Sequence, residues 1–221
     1  MIVWSQIDSV FLDMDGTLLD LHFDNHFWLS HVPLRYAEKH GLSHEAGRDA
    51  LMPRYQRVAG TMDWYCVDYW SRELQLDIAR LKEEVAHFIA VHPHVTDFLQ
   101  ALRDVNKRVV LVTNAHHKSL ALKMQRTRLG IYFDAIISAH DIGIPKEHPD
   151  FWGSLQAMEK FQPQTTLLVD DSLPVLRSAK DYGIAHLLAV YRPDTSLPDK
   201  EVEEFAAIRD FRDILPKGGE Q

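Results

Sequence analysis

Apolar residues along this chain follow two rhythms. The run Val10-Phe11-Leu12 is unbroken and stops abruptly on Asp13, the pattern of a short strand buried on both faces of a parallel sheet. From residue 20 to about residue 91 the spacing turns helical, and no further strand-like run interrupts it. The pattern predicts a helix from about Asn25 to His40, broken near Pro33 and closed by Gly41. Ser43 can cap a second that reaches about Val58, before Gly60. A third holds Trp64-Tyr65-Cys66-Val67-Asp68-Tyr69-Trp70, and a fourth starts at Asp77 with Ile78, Leu81, Val85 and Phe88 on one face. Four such helices can pack as a small bundle.

His92-Pro93 ends that block, because the residue before a proline avoids helical geometry. Helix and strand then alternate. Val95, Phe98, Leu99, Leu102 and Val105 mark a helix, and strands follow at Val109 to Val112, Ala135 to Ile137, Thr166 to Val169 and Leu187 to Val190. Between them lie helices near Lys118 to Leu129, near Pro149 to Phe161, and through Val175, Leu176, Ala179 and Tyr182 up to Gly183. Such alternation implies an α/β fold, a doubly wound parallel sheet of about five strands. The expected division is a sheet domain from residues 1–19 and 92–221, with a helical domain inserted at 20–91. The tail from Arg192 reads as loop with a weakly patterned helix near Glu201 to Ala207.

A parallel sheet gathers the carboxyl ends of its strands along one crevice, where ligands bind. Three of the predicted strands end in polar residues there: Asp13 with Asp15, Thr113 with Asn114, and Asp170 with Asp171. Residues two apart on extended chain face the same side, so Asp13 and Asp15 can address one ligand, and Gly16 lets the chain turn away. One carboxylate can then attack as a nucleophile while the other exchanges a proton with the leaving group. Each piece also has a plainer reading: Asp-Gly and Thr-Asn as turns, Lys146 as a solvated charge, Asp170 to Ser172 as the cap of the next helix. It is their joint occurrence, each at the expected end of the expected element, that favours a site.

The spelling Asp13-x-Asp15-Gly16-Thr17 resembles the signature of the haloacid-dehalogenase-like hydrolase superfamily. The likeness extends to Thr113 after the second strand, to Lys146 in Gly143-Ile144-Pro145-Lys146, and to Val169-Asp170-Asp171-Ser172 after the fourth. It implies that Asp13 attacks phosphorus to form an aspartyl-phosphate and that Asp15 is the general acid and base. It further implies that Thr113, Asn114 and Lys146 bind the phosphoryl group. A Mg²⁺ ion would be held by the carboxylates of Asp13 and Asp170 and the main-chain carbonyl of Asp15, with Asp171 just outside its ligands. Electrostatics asks for such an ion, since each like-charged pair at 4 Å costs about 1 kcal/mol in water and about 4 at an effective dielectric of 20. One lysine cannot offset four carboxylates and a phosphate, and an all-oxygen site suits Mg²⁺.

The helical insert has the position of a cap that closes over the crevice in one subgroup of that superfamily. Arg35, Arg54 and Arg57 are candidates to meet an anionic substrate there, and Trp64, Tyr65, Tyr69 and Trp70 either stack on a base or form the insert's own core. The runs from Leu19 to Trp28 and from Trp64 to Trp70, with Thr113-Asn114-Ala115-His116 and Pro145-Lys146-Glu147, resemble a bacterial purine 5′-nucleotidase group that hydrolyses GMP and IMP. A sugar-phosphate phosphatase is the alternative substrate reading, and a phosphomutase keeps the same motifs. A dehalogenase needs only the first aspartate, and a phosphonatase needs an imine-forming lysine where the insert offers Lys39 and Lys82. A non-enzymatic phosphate sensor is disfavoured by the full set of charged residues.

Composition narrows the partners. A formal charge of -8 argues against a nonspecific nucleic-acid binder, which would show a basic surface, and no apolar run approaches a membrane span. The one cysteine, Cys66, excludes an internal disulfide. With no leader pattern in Met1-Ile2-Val3-Trp4, the expectation is a cytoplasmic monomer or small homo-oligomer acting on a small phosphomonoester, a nucleotide by the family likeness. Thirteen histidines are scattered; His92-Pro93-His94 and His116-His117 are the closest groups, and neither is matched by a second pair at zinc-ligand spacing.

Overall fold

The structure is a computed structural model that describes residues 2–216; Met1 and the last residues of the expected sheet domain, 217–221, lie outside them. Strand β1 covers Ser9–Leu12. Helices α1 (His22–His26) and α2 (Val32–His40) are joined by a π-helical turn at Phe27–His31. Then come α3 (His44–Val58), α4 (Met62–Tyr65), α5 (Val67–Leu74) and α6 (Ile78–Glu84). Helix α7 (Val95–Asp104) leads to β2 (Arg108–Thr113), α8 (His117–Thr127), β3 (Ala135–Ser138) and α9 (Ala139–Ile142). The remainder is α10 (Phe151–Met158), β4 (Thr166–Val169), α11 (Leu173–Tyr182), β5 (His186–Val190) and β6 (Ala207–Ile208).

The six named strands pair in parallel throughout, in the order β3-β2-β1-β4-β5-β6. β1 is therefore central, and the connections leave it in opposite directions, which opens the crevice at its carboxyl end. Its alternating side chains explain the unbroken apolar run. Val10 and Leu12 join the cluster on one face with Phe98, Leu111 and Val169, while Phe11 joins Val110, Trp152 and Leu168 on the other. A third apolar cluster lies wholly in the helices between β1 and β2 and centres on Phe27, Tyr55 and Trp70. Gly47 permits the close crossing of α2 and α3, since a Cβ there would lie 2.8 Å from the Pro33 carbonyl oxygen.

Three local expectations are corrected. The first helix starts earlier, at His22; its regular α geometry is interrupted near Pro33 as expected, by the π-helical turn Phe27–His31, and the proline sits in the first turn of α2, where a missing N–H is tolerated. The helix expected to hold Trp64 through Trp70 is divided, because Cys66 is extended (φ -85°, ψ 110°) and caps α5 instead. The tail has no helix at 201–207. Val202 and Phe205 keep helical spacing but are pinned to the sheet cluster around a turn with Glu203 at φ 50°, and Ala207–Ile208 forms a sixth strand. No helix among the described residues is long and apolar enough to cross a membrane.

Candidate active site

Adjacent strands in register bring the acidic residues together. Leu12 of β1 pairs with Val169 of β4, so Asp13 and Asp170 leave neighbouring strand ends at the same level, and the Asp13 N–H donates to the Val169 carbonyl at 3.0 Å. Gly16 follows at φ +89°, where its N–H donates to the Leu19 carbonyl at 2.7 Å. No side chain fits there: a Cβ would stand 2.8 Å from Cγ of Asp171.

Lys146, only 2 % exposed, ties this set together. Its ammonium donates to Asp13 Oδ1 at 2.5 Å, Asp170 Oδ2 at 2.6 Å and the Val112 carbonyl at 3.1 Å. Burial alone would lower the lysine, but Asp13 and Asp170 outweigh it and keep the ammonium charged. Burial raises Asp13 above the usual carboxylate range, with Asp170 adding to it against the pull of Lys146. Asp171 is raised too, first by burial and then by Asp13 and Asp170. Asn114 accepts the Lys146 main-chain N–H at 2.9 Å and donates to Glu147 at 2.9 Å, while the Thr113 hydroxyl accepts from Ala115 N at 3.0 Å. The residues singled out from sequence, Asp13, Asp15, Thr113, Asn114, Lys146 and Asp170, thus all line one cleft, together with Asp171.

Asp15 has a partner that the motifs do not announce. Lys123 of α8 lies 2.6 Å from Asp15 Oδ1, an ion-pair contact without hydrogen-bond alignment, and 2.6 Å from Asp24 Oδ2 of α1. Asp24 accepts in turn from Lys82 of α6 at 3.0 Å. This buried chain of alternating charge runs from the sheet's edge into the insert. Burial, then Asp24 and Asp13, raise Asp15 against the opposing effect of Lys123, whereas burial at Asp24 is outweighed by Lys123 and Lys82, which lower it. The sequence signal was available: Lys82 and Lys123 sit on inward stripes, four residues after Ile78 and three after Leu120.

The insert supplies the opposite wall. The cleft has a volume of about 340 Å³, within the range of small-molecule sites of roughly 300–1,000 Å³. Trp28, Tyr55, Trp64 and Tyr65 line it, whereas Tyr69 and Trp70 do not. Trp70 is insert core, its indole N–H donating to the Trp64 carbonyl at 2.9 Å. Tyr65 also joins the insert to the loop after α9, its hydroxyl donating to Glu147 Oε1 at 2.9 Å. The three candidate arginines are placed elsewhere. Arg35 pairs with Glu38 and Glu84, Arg57 with Glu73, and Arg54 lies over Tyr36 and near Glu73, all on the insert's outer surface. The cationic residue that the insert does bring to the cleft is Lys82.

Carboxylate oxygens of Asp13, Asp170 and Asp171 lie within 4.8 Å of one another. An all-oxygen, anionic set at this spacing fits a hard divalent cation such as Mg²⁺. Asp171 belongs to this group by distance.

Comparison with known proteins agrees with this geometry. The family model described as haloacid dehalogenase-like hydrolase matches residues 7–183. The chain is 36% identical over 215 residues to the GMP/IMP nucleotidase YrfG of Escherichia coli, covering 97% of each. It is 26% identical over 212 residues to a phosphoglycolate phosphatase of Pseudomonas syringae, covering 94% of this chain and 78% of that one. Among solved structures, a HAD phosphatase from Thermococcus onnurineus superimposes with a TM-score of 0.79 at 24% identity, over 94% of this chain and 95% of the other. The chain belongs to the haloacid dehalogenase-like hydrolase family and is a phosphatase of that family.

Proposed function

We propose that the protein hydrolyses purine nucleoside 5′-monophosphates, GMP and IMP foremost, through an aspartyl-phosphate on Asp13. The observation that carries the reading is the division of one cleft. Its floor is the cluster of Asp13, Asp15, Thr113, Lys146 and Asp170, and its opposite wall is aromatic, with Trp28, Tyr55, Trp64 and Tyr65. A phosphate on the floor leaves a planar base within reach of that wall, where stacking contributes about 1–3 kcal/mol per base. The likeness to the GMP/IMP nucleotidase over 97% of the chain supports the same assignment.

In the first step a carboxylate oxygen of Asp13 attacks phosphorus, the bond from phosphorus to the ester oxygen breaks, and protonated Asp15 gives its proton to the departing alkoxide. In the second, Asp15 takes a proton from water as the water oxygen attacks phosphorus, releasing phosphate and regenerating Asp13. Lys146 and the Thr113 hydroxyl face the phosphoryl oxygens and offset their growing charge. Mg²⁺ held by Asp13, Asp170 and the Asp15 carbonyl, with Asp171 beside it, would supply further charge neutralisation. We assign residues 20–91 as the cap that closes over the substrate and excludes water.

Phosphate release from a panel of GMP, IMP, AMP, pyrimidine nucleotides, sugar phosphates and phosphoglycolate tests the substrate. GMP and IMP share a 6-oxo group where AMP has an amine, and a site built to bond one polar group discriminates strongly against its replacement. The expected order of kcat/KM puts GMP and IMP about tenfold or more ahead of the others. A panel led by phosphoglycolate or a sugar phosphate would overturn the substrate and leave the phosphatase.

A further inference from the structure

Cys66, His116 and His140 come from three distant places in the chain and meet on the seam between insert and sheet. Cys66 separates α4 from α5, His116 caps α8, and His140 lies in α9. One ligating atom of each lies within 4.8 Å of those of the other two. The His116 and His140 rings stand 4.8 Å apart at 83°. None of the three lines the substrate cleft, although their neighbours Tyr65, Val67 and Ala115 do.

A second observation points to a ligand here. Nε2 of His140 is buried and has no partner in good hydrogen-bond geometry, the one main-chain group acting on the ring being that of Tyr65. Burial, reinforced by His116 and His117, brings His140 down to about 4 against the opposing Tyr65 main chain and Asp141, and burial with His117 and Lys118 lowers His116 despite the opposing Asp68.

We propose that Cys66, His116 and His140 bind a thiophilic divalent cation of the zinc type, which ties the helical insert to the sheet. One sulfur and two imidazoles suit Zn²⁺ and discriminate against Mg²⁺, the reverse of the all-oxygen cluster at Asp13. Standard zinc bond lengths put neighbouring donors about 3.4–3.6 Å apart in a tetrahedron, so side-chain rotation closes the cluster and leaves the fourth position to water. The sulfur is already oriented by the Tyr69 N–H, which donates to it at 3.3 Å. Ligation by His116 Nδ1 exchanges a long hydrogen bond from Lys118 N, 3.2 Å, for the metal. It leaves Nε2 near the Asp68 carboxylate, 3.7 Å from Oδ2. The Cys66 thiol releases its proton to solvent on binding. A cation joining Cys66 of the insert to the two histidines resists opening of the cleft and so slows substrate exchange.

Metal-free, reduced protein titrated with Co²⁺ tests the site by absorbance. One equivalent should produce a thiolate-to-cobalt charge-transfer band with d–d bands of tetrahedral intensity, both abolished when Zn²⁺ displaces cobalt. Cys66→Ser should lose the charge-transfer band, and His140→Gln should weaken Co²⁺ binding by about tenfold or more. Asp170→Asn should keep both signals, with circular dichroism checking that each variant is folded. In the unmodified protein, one equivalent of Zn²⁺ should protect Cys66 from alkylation, a readout that needs no variant. Absence of the charge-transfer band, its persistence in Cys66→Ser, or unprotected Cys66 overturns the proposal.

Discussion

Lys123 of the sheet domain and Asp24 of the insert meet at 2.6 Å, and the same ammonium lies 2.6 Å from Asp15. One fully buried charge therefore couples the residue assigned as general acid and base to the element assigned as the cap. Breaking a buried pair by removing one partner costs about 3–5 kcal/mol, because the other charge stays in place without compensation. Lys123→Met should lower the unfolding midpoint by roughly 6–20 °C for a chain of this size. In a double-mutant cycle Asp24→Asn and Lys123→Met should be strongly non-additive. Additive effects measured by denaturant unfolding would remove the coupling.

Gly16→Ala should damage both stability and the metal site. The left-handed conformation at φ +89° costs an alanine about 1–2 kcal/mol. The new Cβ would also displace Asp171, whose Cγ is 2.8 Å from the position it would occupy. Thermal unfolding should report the first effect, and a higher Mg²⁺ concentration for half-maximal activity the second. An unchanged Mg²⁺ requirement would separate Asp171 from metal binding.

Tyr65→Phe removes the hydroxyl that ties this cleft-lining residue of the insert to Glu147, beside Lys146, and leaves that carboxylate oxygen short of a donor. A hydrogen bond to a charged group contributes about 1.5–3 kcal/mol, so kcat/KM for GMP should fall by about tenfold or more. Arg57→Ala is the contrasting variant. Its exposed pair with Glu73 faces away from the cleft, and steady-state KM should stay within about twofold, since surface pairs contribute little. A large rise in KM for Arg57→Ala would restore the arginine to substrate binding.

Chelation should abolish turnover, and Mg²⁺ should restore it. Lys146 is already shared between Asp13 and Asp170, so it cannot by itself neutralise the carboxylates and an arriving phosphate. Full activity in EDTA would contradict the role given to the Asp13, Asp170 and Asp171 cluster.

The α/β architecture was legible because burial on both faces of β1 forces an unbroken apolar run, and because helical and strand spacings alternate so regularly after Pro93. β6 was not, since Ala207–Ile208 is too short to show a period and exists through its pairing with Ala189 and Val190. Val202 and Phe205 misled for the opposite reason, imitating a helical stripe while packing from a turn. The floor of the site was legible from carboxylates placed at strand ends. Its supports were not: Lys82 and Lys123 read as ordinary helix lysines unless their inward position is noticed. The outer arginines attracted attention by charge alone, although glutamates close to each already balance them.

Trapping the covalent intermediate tests the central claim most directly. Protein quenched during turnover of GMP and reduced with borohydride should carry the modification of an acyl-phosphate at Asp13, located by peptide mass spectrometry. Asp13→Asn should show no such modification and no turnover, while Asp15→Asn should still be labelled by a phosphate ester with a good leaving group, which needs little protonation. Label on another residue, or normal hydrolysis by Asp13→Asn, would contradict the account.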